Sequence, residues 1–299
     1  KYLFIQAVCL GRSAFPAMER ELFLGCGAAS GLGLAVNVLV VSWRRRLQAV
    51  HDAARSRAEP SRRRSSFDHP FFLEVLASQL WTYGVSMLLQ VAVYPACVAG
   101  GYAAWRARAG GARWVDRPGG LFAAEGGLDL LGLRLFLYAF FGHLVRDLPF
   151  CWGRSLIVVH HLVCMLGVLA ALVMPVGGVS TALGIFALES GSLGYNAWCI
   201  DETLRALPSW VPCWPRGDGQ VGRALVPAAF RVGMTASNLF GAHMLTIAVR
   251  AHAAQGSWAV PGFYGLAGTV LLAMRQQECF TAEKPGPSIK KLRPPSFSS

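Results

Sequence analysis

Residues 155–176 read SLIVVHHLVCMLGVLAALVMPV, an apolar run interrupted only by the adjacent His160 and His161. A helix needs roughly 17–25 such residues to cross a hydrocarbon core about 30 Å thick. Six more runs of this kind flank it: Leu22–Trp43, Val75–Val98 and Leu128–Phe150 before it, then Gly178–Ile200, Ala224–Val249 and the short Trp258–Met274. None alternates polar and apolar residues over about ten positions, which excludes a membrane barrel. The chain therefore reads as all-α, a polytopic transmembrane helical bundle of about seven spans. Gly25, Gly27, Gly31 and Gly33 in the first span suit close helix contact, because small residues let backbones approach in lipid.

Composition agrees. Of 299 residues 54% are hydrophobic and only 15% charged, against about 25% charged in soluble domains, and the mean hydropathy is +0.42. The net charge is +12, and the basic residues stand beside apolar runs, which favours a membrane over nucleic acid as the partner. The eight cysteines form no C-x-x-C pair, so they imply neither a zinc site nor a disulfide framework. With Arg44–Pro70 on the cytosolic side, 17 Lys and Arg lie there against 8 opposite. The positive-inside rule then puts the N-terminus in the lumen and the C-terminus in the cytosol. The chain divides into a lumenal segment (1–21), the first span with a basic loop (22–70), a transmembrane domain (71–275) and a disordered tail (276–299). Lys1–Leu10 has no evident A-x-A-like cleavage site and reads as an amphipathic or partial helix.

Ionisable groups inside spans cost about 2.5–3.5 kcal/mol each on insertion scales and are functional candidates by default. At about 1.5 Å of rise per residue, His143, Arg146, Asp147, His160, His161, Asn196 and Arg231 fall in one layer in the cytosolic third, with Glu189 nearer the midplane. His143 and Asp147 are i,i+4 neighbours, so the carboxylate can orient the imidazole. Glu189, Ser192 and Asn196 share a face of the fifth helix, and Arg231, Thr235 and Asn238 share one of the sixth. The short Pro175–Gly178 link makes the fourth and fifth helices antiparallel neighbours, so His160-His161 and Glu189 can face each other. Arg134 and His243 read as interfacial, and end-of-span residues such as Arg146 can snorkel to the headgroups.

Asp147 at a helix end, a short link and then Leu156-Ile157-Val158-Val159-His160-His161-Leu162-Val163 resemble the TLC domain family. That family holds TRAM proteins, Lag-type ceramide synthases, an ER protein of ceroid lipofuscinosis and uncharacterised members. Glu189-Ser190 through Asn196 resembles its members outside the ceramide synthases, and the likeness covers about Phe71 to Arg275. It implies an endoplasmic reticulum protein with a helical bundle around a lipid-accessible cavity. In ceramide synthases the His-His pair joins a His-Asp motif on the next helix to move an acyl group from acyl-CoA to a long-chain amine. Here that region reads Leu188-Glu189 and lacks the histidine.

Two functions follow as expectations. The first is membrane lipid homeostasis, in which the polar layer binds, senses or handles a lipid. The second is a membrane acyltransferase with His160 or His161 as base or nucleophile, set by Asp147 or Glu189, and acyl-CoA as co-substrate. In either case His143, Arg146, Ser192, Asn196 and Arg231 would bind the lipid. No cofactor or metal is called for, and oligomerisation with itself or another chain stays open. A receptor, a di-metal oxidase and a nucleotide-binding enzyme each lack their motifs.

Overall fold

The computed structural model describes residues 15–57, 81–107, 130–151, 155–174, 176–205, 220–254, 256 and 258–281. Among these residues the structure is helical, without strands: α1 (Phe15–Arg57), α2 (Trp81–Arg106), α3 (Leu131–Cys151), α4 (Ser155–Val173), α5 (Gly178–Arg205), α6 (Gln220–Ala253) and α7 (Ala259–Thr281). Three helices hold segments long and apolar enough to cross a membrane: Met18–Ser42 in α1, α2, and Leu225–Ala253 in α6. Ile157–Val173 in α4 is apolar but shorter. The N-terminal segment to residue 14, most of the basic loop and the tail beyond Thr281 lie outside the described residues.

Several helices overrun the spans expected from hydropathy. α1 continues past Arg44-Arg45-Arg46 to Arg57, because arginine is a good helix former and no Gly or Pro follows until Pro60. α7 continues through Arg275, Gln276 and Gln277 to Thr281, so the first residues assigned to a disordered tail are helical. A charge ends an apolar run, but it does not end a helix.

The large core joins α2, α3, α4 and α5. Tyr94 and Phe136, both fully buried, meet edge to face with centroids 5.1 Å apart, and Phe136 meets Phe186 of α5 at 5.8 Å. Such pairs contribute about 0.5–1.5 kcal/mol beyond area burial. A second cluster of Trp198, Phe230, Met234 and Cys279 joins α5, α6 and α7. Two hairpins turn on glycines in the left-handed region, Gly177 between α4 and α5 and Gly256 between α6 and α7, each at φ 75°. A side chain would be strained at either position. The α4–α5 hairpin is the antiparallel pair expected from the short link.

Glycine also sets how closely helices cross. A Cβ on Gly142 of α3 would lie 2.5 Å from the Ala29 carbonyl oxygen of α1, and one on Gly33 would lie 2.8 Å from Gly142 O, whereas Gly27 and Gly31 face open space. The glycine pattern of the first span thus serves contact at Gly25 and Gly33 only, since Gly25 packs on Tyr138. Gly142→Leu is expected to destabilise the protein by about 1–3 kcal/mol through overpacking, while Gly31→Leu should stay within about 0.5 kcal/mol. Melting temperatures of the two variants in detergent check this; equal values would disprove the crossing.

α2 carries an irregularity that matters for the site. Leu89–Val93 forms a π-turn, closed by the Tyr94 N–H on the Leu89 carbonyl. Pro95 explains it: a proline in a helix lacks its N–H and its ring clashes with the carbonyl four residues earlier, here Val91. Widening the turn relieves that clash and aims the buried Gln90 into the bundle.

Candidate functional site

The polar residues resolve into two groups and a cavity rather than one continuous layer. The first group lies where α1, α2 and α3 meet. Arg146 grips Asp147 through Nη2 at 2.6 Å and Nε at 2.9 Å, and Nη2 also reaches Ser86 Oγ at 3.3 Å and the Thr82 carbonyl at 3.4 Å. His143 Nε2 lies 3.4 Å from Asp147 Oδ2 and 3.4 Å from Ser86 Oγ. Asn37 Nδ2 donates to the Arg146 carbonyl at 2.8 Å. Arg146 is 2% exposed, so it does not snorkel; its charge is matched inside the bundle. Asp147 is thereby engaged with Arg146 and His143, whereas His160 and His161 bond within their own helix.

The second group joins α2, α5, α6 and α7. Gln90 Nε2 donates to Glu189 Oε2 at 3.1 Å, and its Oε1 accepts from Asn196 Nδ2 at 2.9 Å. Glu189 and Asn196 therefore share a face as their spacing requires, and one glutamine spans both. Ser192, between them in sequence, turns to α7 and accepts from Arg275 Nη2 at 3.1 Å. Arg275 also donates to the Leu188 carbonyl at 2.6 Å and, through Nε, to Asn238 Oδ1 at 3.3 Å. Asn238 Nδ2 donates to Gln276 Oε1 at 2.8 Å, and Gln276 Nε2 to Thr235 Oγ1 at 3.1 Å. Arg231 stands apart: its side chain is exposed on α6 while Thr235 and Asn238 turn inward.

The cavity runs between α4, α5, α6 and α7, with a volume of about 120 Å³, and is partly open to the surroundings. Its long walls are apolar, with Phe263, Leu271 and Leu272 from α7 facing Val163 and Leu166 from α4. His160, Glu189 and Arg275 line it at the polar end, Ser180 and Tyr264 at the end nearer the hairpin turns. His160 Nε2 sits 3.7 Å from the Cys164 thiol, one turn along α4. His161 points elsewhere, its Nδ1 held by the Ile157 carbonyl at 2.8 Å. Adjacent residues on a helix diverge by about 100°, so only His160 of the pair reaches the cavity.

At the N-terminal end of α3, Arg134 pairs with the exposed Glu21 at 3.0 Å, a contact of about 0–1 kcal/mol. Among the described residues no three of His, Cys, Asp and Glu converge on a point that could hold a metal.

The sequence reading did not single out Gln90, Arg275, Gln276 or Ser86. The lone glutamine in Leu88-Leu89-Gln90-Val91 was a legible signal, because an uncharged amide in an apolar run needs a partner. Arg275 carried none, since a cation at the end of an apolar run is indistinguishable from a positive-inside anchor. No protein-family model matches this chain, and no curated protein or solved structure matches it either.

Proposed function

We propose that this chain is a TLC-like, seven-span protein of the endoplasmic reticulum, N-terminus lumenal, that binds or handles a membrane lipid in lipid homeostasis. The observation that carries this is the partly open cavity of α4–α7, with apolar walls and His160, Glu189 and Arg275 at one end. Ligand sites are concave, mostly apolar and carry a few placed polar groups, and an apolar slot with a polar end matches an amphipathic molecule. The exposed apolar side chains of α1, α6 and α7, among them Phe23, Val232 and Leu266, suit hydrocarbon rather than water as surroundings. α3, α5 and α7 carry the buried polar residues His143, Arg146, Asn196 and Arg275, which lowers their hydropathy relative to Met18–Ser42 of α1.

An acyltransferase is the second reading, favoured by His160 on the cavity wall beside Glu189, where an imidazole could act on an acyl chain drawn from acyl-CoA. The two are separated by lipid profiling of cells that express wild type, His160→Ala, His161→Ala or Glu189→Ala at matched membrane levels. We expect wild type to shift one lipid class, Glu189→Ala and His160→Ala to abolish the shift, and His161→Ala to retain it. Profiles identical across all four lines and the untransfected parent would sink the lipid role. Turnover of acyl-CoA by purified wild type, lost in His160→Ala, would establish the enzyme.

A further inference from the structure

Four polar atoms at the junction of α1, α2 and α3 are buried without a hydrogen-bond partner among the described residues: Asn37 Oδ1, Tyr94 OH, His143 Nδ1 and Arg146 Nη1. Their residues are each 9% exposed or less. The second polar group differs, because no side-chain atom of Gln90, Glu189, Asn196, Asn238 or Gln276 is orphaned in this way. A buried polar atom left bare costs its full desolvation penalty, and hydrocarbon around the bundle has nothing to offer it. Interiors satisfy such atoms with protein groups or with ordered water.

The four atoms belong to one neighbourhood. Arg146 Nη2 and His143 Nε2 share Ser86 Oγ, at 3.3 and 3.4 Å, and both face Asp147. Nη1 and Nδ1 are the other nitrogens of the same two groups. Asn37 reaches in from α1 by its bond to the Arg146 carbonyl. Tyr94 lies further along α2, its ring against Phe136 and Phe140. Those two share a face of α3 with His143 and Asp147, at i, i+4, i+7 and i+11. The charges of Arg146 and Asp147 both act on the Tyr94 hydroxyl, as does that of Glu189.

Chemistry selects the occupant. Asn37 Nδ2 donates to the Arg146 carbonyl, so Oδ1 is an acceptor in need of a donor. Arg146 Nη1 carries only N–H and needs an acceptor. One species serves both only if it donates and accepts. A halide only accepts, and Asp147 already matches the Arg146 charge. A metal cation finds no three of His, Cys, Asp and Glu together among the described residues. Water donates and accepts, and a buried water typically makes about three hydrogen bonds to groups of this kind.

We infer that internal water occupies the junction of α1, α2 and α3 and bridges Asn37, Tyr94, His143 and Arg146. The Arg146–Asp147 pair is then hydrated and not dry, which lowers the desolvation penalty of holding an ion pair inside the bundle. This holds whatever occupies the cavity of α4–α7.

The test uses the full-length protein in detergent micelles, footprinted by hydroxyl radicals that a brief X-ray pulse forms from water in place. Tyr94 and Phe136 make the comparison, since both are 0% exposed and their rings lie 5.1 Å apart. Modification is expected at Tyr94 and His143 and not at Phe136. Stability supplies a second, signed readout. Tyr94→Phe removes only the hydroxyl, and the loss of a water-bonded hydroxyl should lower the folding equilibrium constant about tenfold. Removing a bare hydroxyl would leave that constant unchanged or raise it. Unfolding titrations in mixed micelles read the difference, in chloride and again in gluconate. Equal stability in the two salts is expected, and a gain specific to chloride would overturn water in favour of an anion. Tyr94 and His143 as unmodified as Phe136, or a Tyr94→Phe variant at least as stable as wild type, would overturn the inference.

Discussion

Asp147→Leu is expected to cost about 3–5 kcal/mol, because it strands the Arg146 guanidinium without its counter-charge in the interior. Arg146 is 2% exposed and donates twice to Asp147, at 2.6 and 2.9 Å. Its remaining partners, Ser86 Oγ and the Thr82 carbonyl, are neutral and longer. The double variant Arg146→Met/Asp147→Leu should recover much of the loss, because replacing a buried ion pair with apolar groups removes both desolvation penalties at once. Unfolding titrations in mixed micelles measure all four corners of this cycle. A double variant as unstable as the sum of the singles would mean that the pair is not coupled as its geometry states. The cycle also separates structure from function here, since this group lies away from the cavity.

Arg275→Met is expected to cost about 2–3 kcal/mol, the range for losing hydrogen bonds from a charged donor. Arg275 ties α7 to α5 through the Leu188 carbonyl and Ser192, and to α6 through Asn238. Met keeps the length of the stem but leaves those acceptors bare. Arg275→Lys should rescue only part of the loss, because an ammonium cannot span partners on two helices as the planar fork does. Stability is read from the same titrations. Full rescue by lysine would show that only the charge, and not the geometry, holds the three helices.

Much of this was legible in the chain of residues. The helical architecture followed from apolar runs too long and too continuous for strands. The antiparallel α4–α5 pair followed from the short Pro175–Gly178 link. The i,i+4 relation of His143 and Asp147 and the shared face of Glu189 and Asn196 are properties of a single helix, and any helix of that sequence has them. The lengths of α1 and α7 were not legible from hydropathy, which registers where apolar side chains stop and is blind to backbone hydrogen bonds that continue through Arg44–Arg57 or Arg275–Thr281.

Partnership across helices was decided elsewhere. The depth argument put His143, Asp147, His160 and Arg231 in one layer, with Glu189 nearer the midplane. Depth is one coordinate, and the rotation of each helix about its axis is another. Rotation separates Asp147 from the His-His pair, sends His161 to the Ile157 carbonyl and leaves Arg231 outside. It also brings Arg275 of the last helix to the Leu188 carbonyl, across 87 residues, and the π-turn before Pro95 carries Gln90 to Glu189 across 99.

The sequence by itself determined that helices form, which runs are apolar and which polar residues must find partners, because those follow from local hydrogen bonding and from the cost of burying polarity. Only the tertiary structure decided which partner each residue found and that a cavity remains between α4, α5, α6 and α7. Both depend on how side chains from four helices fill the space between them.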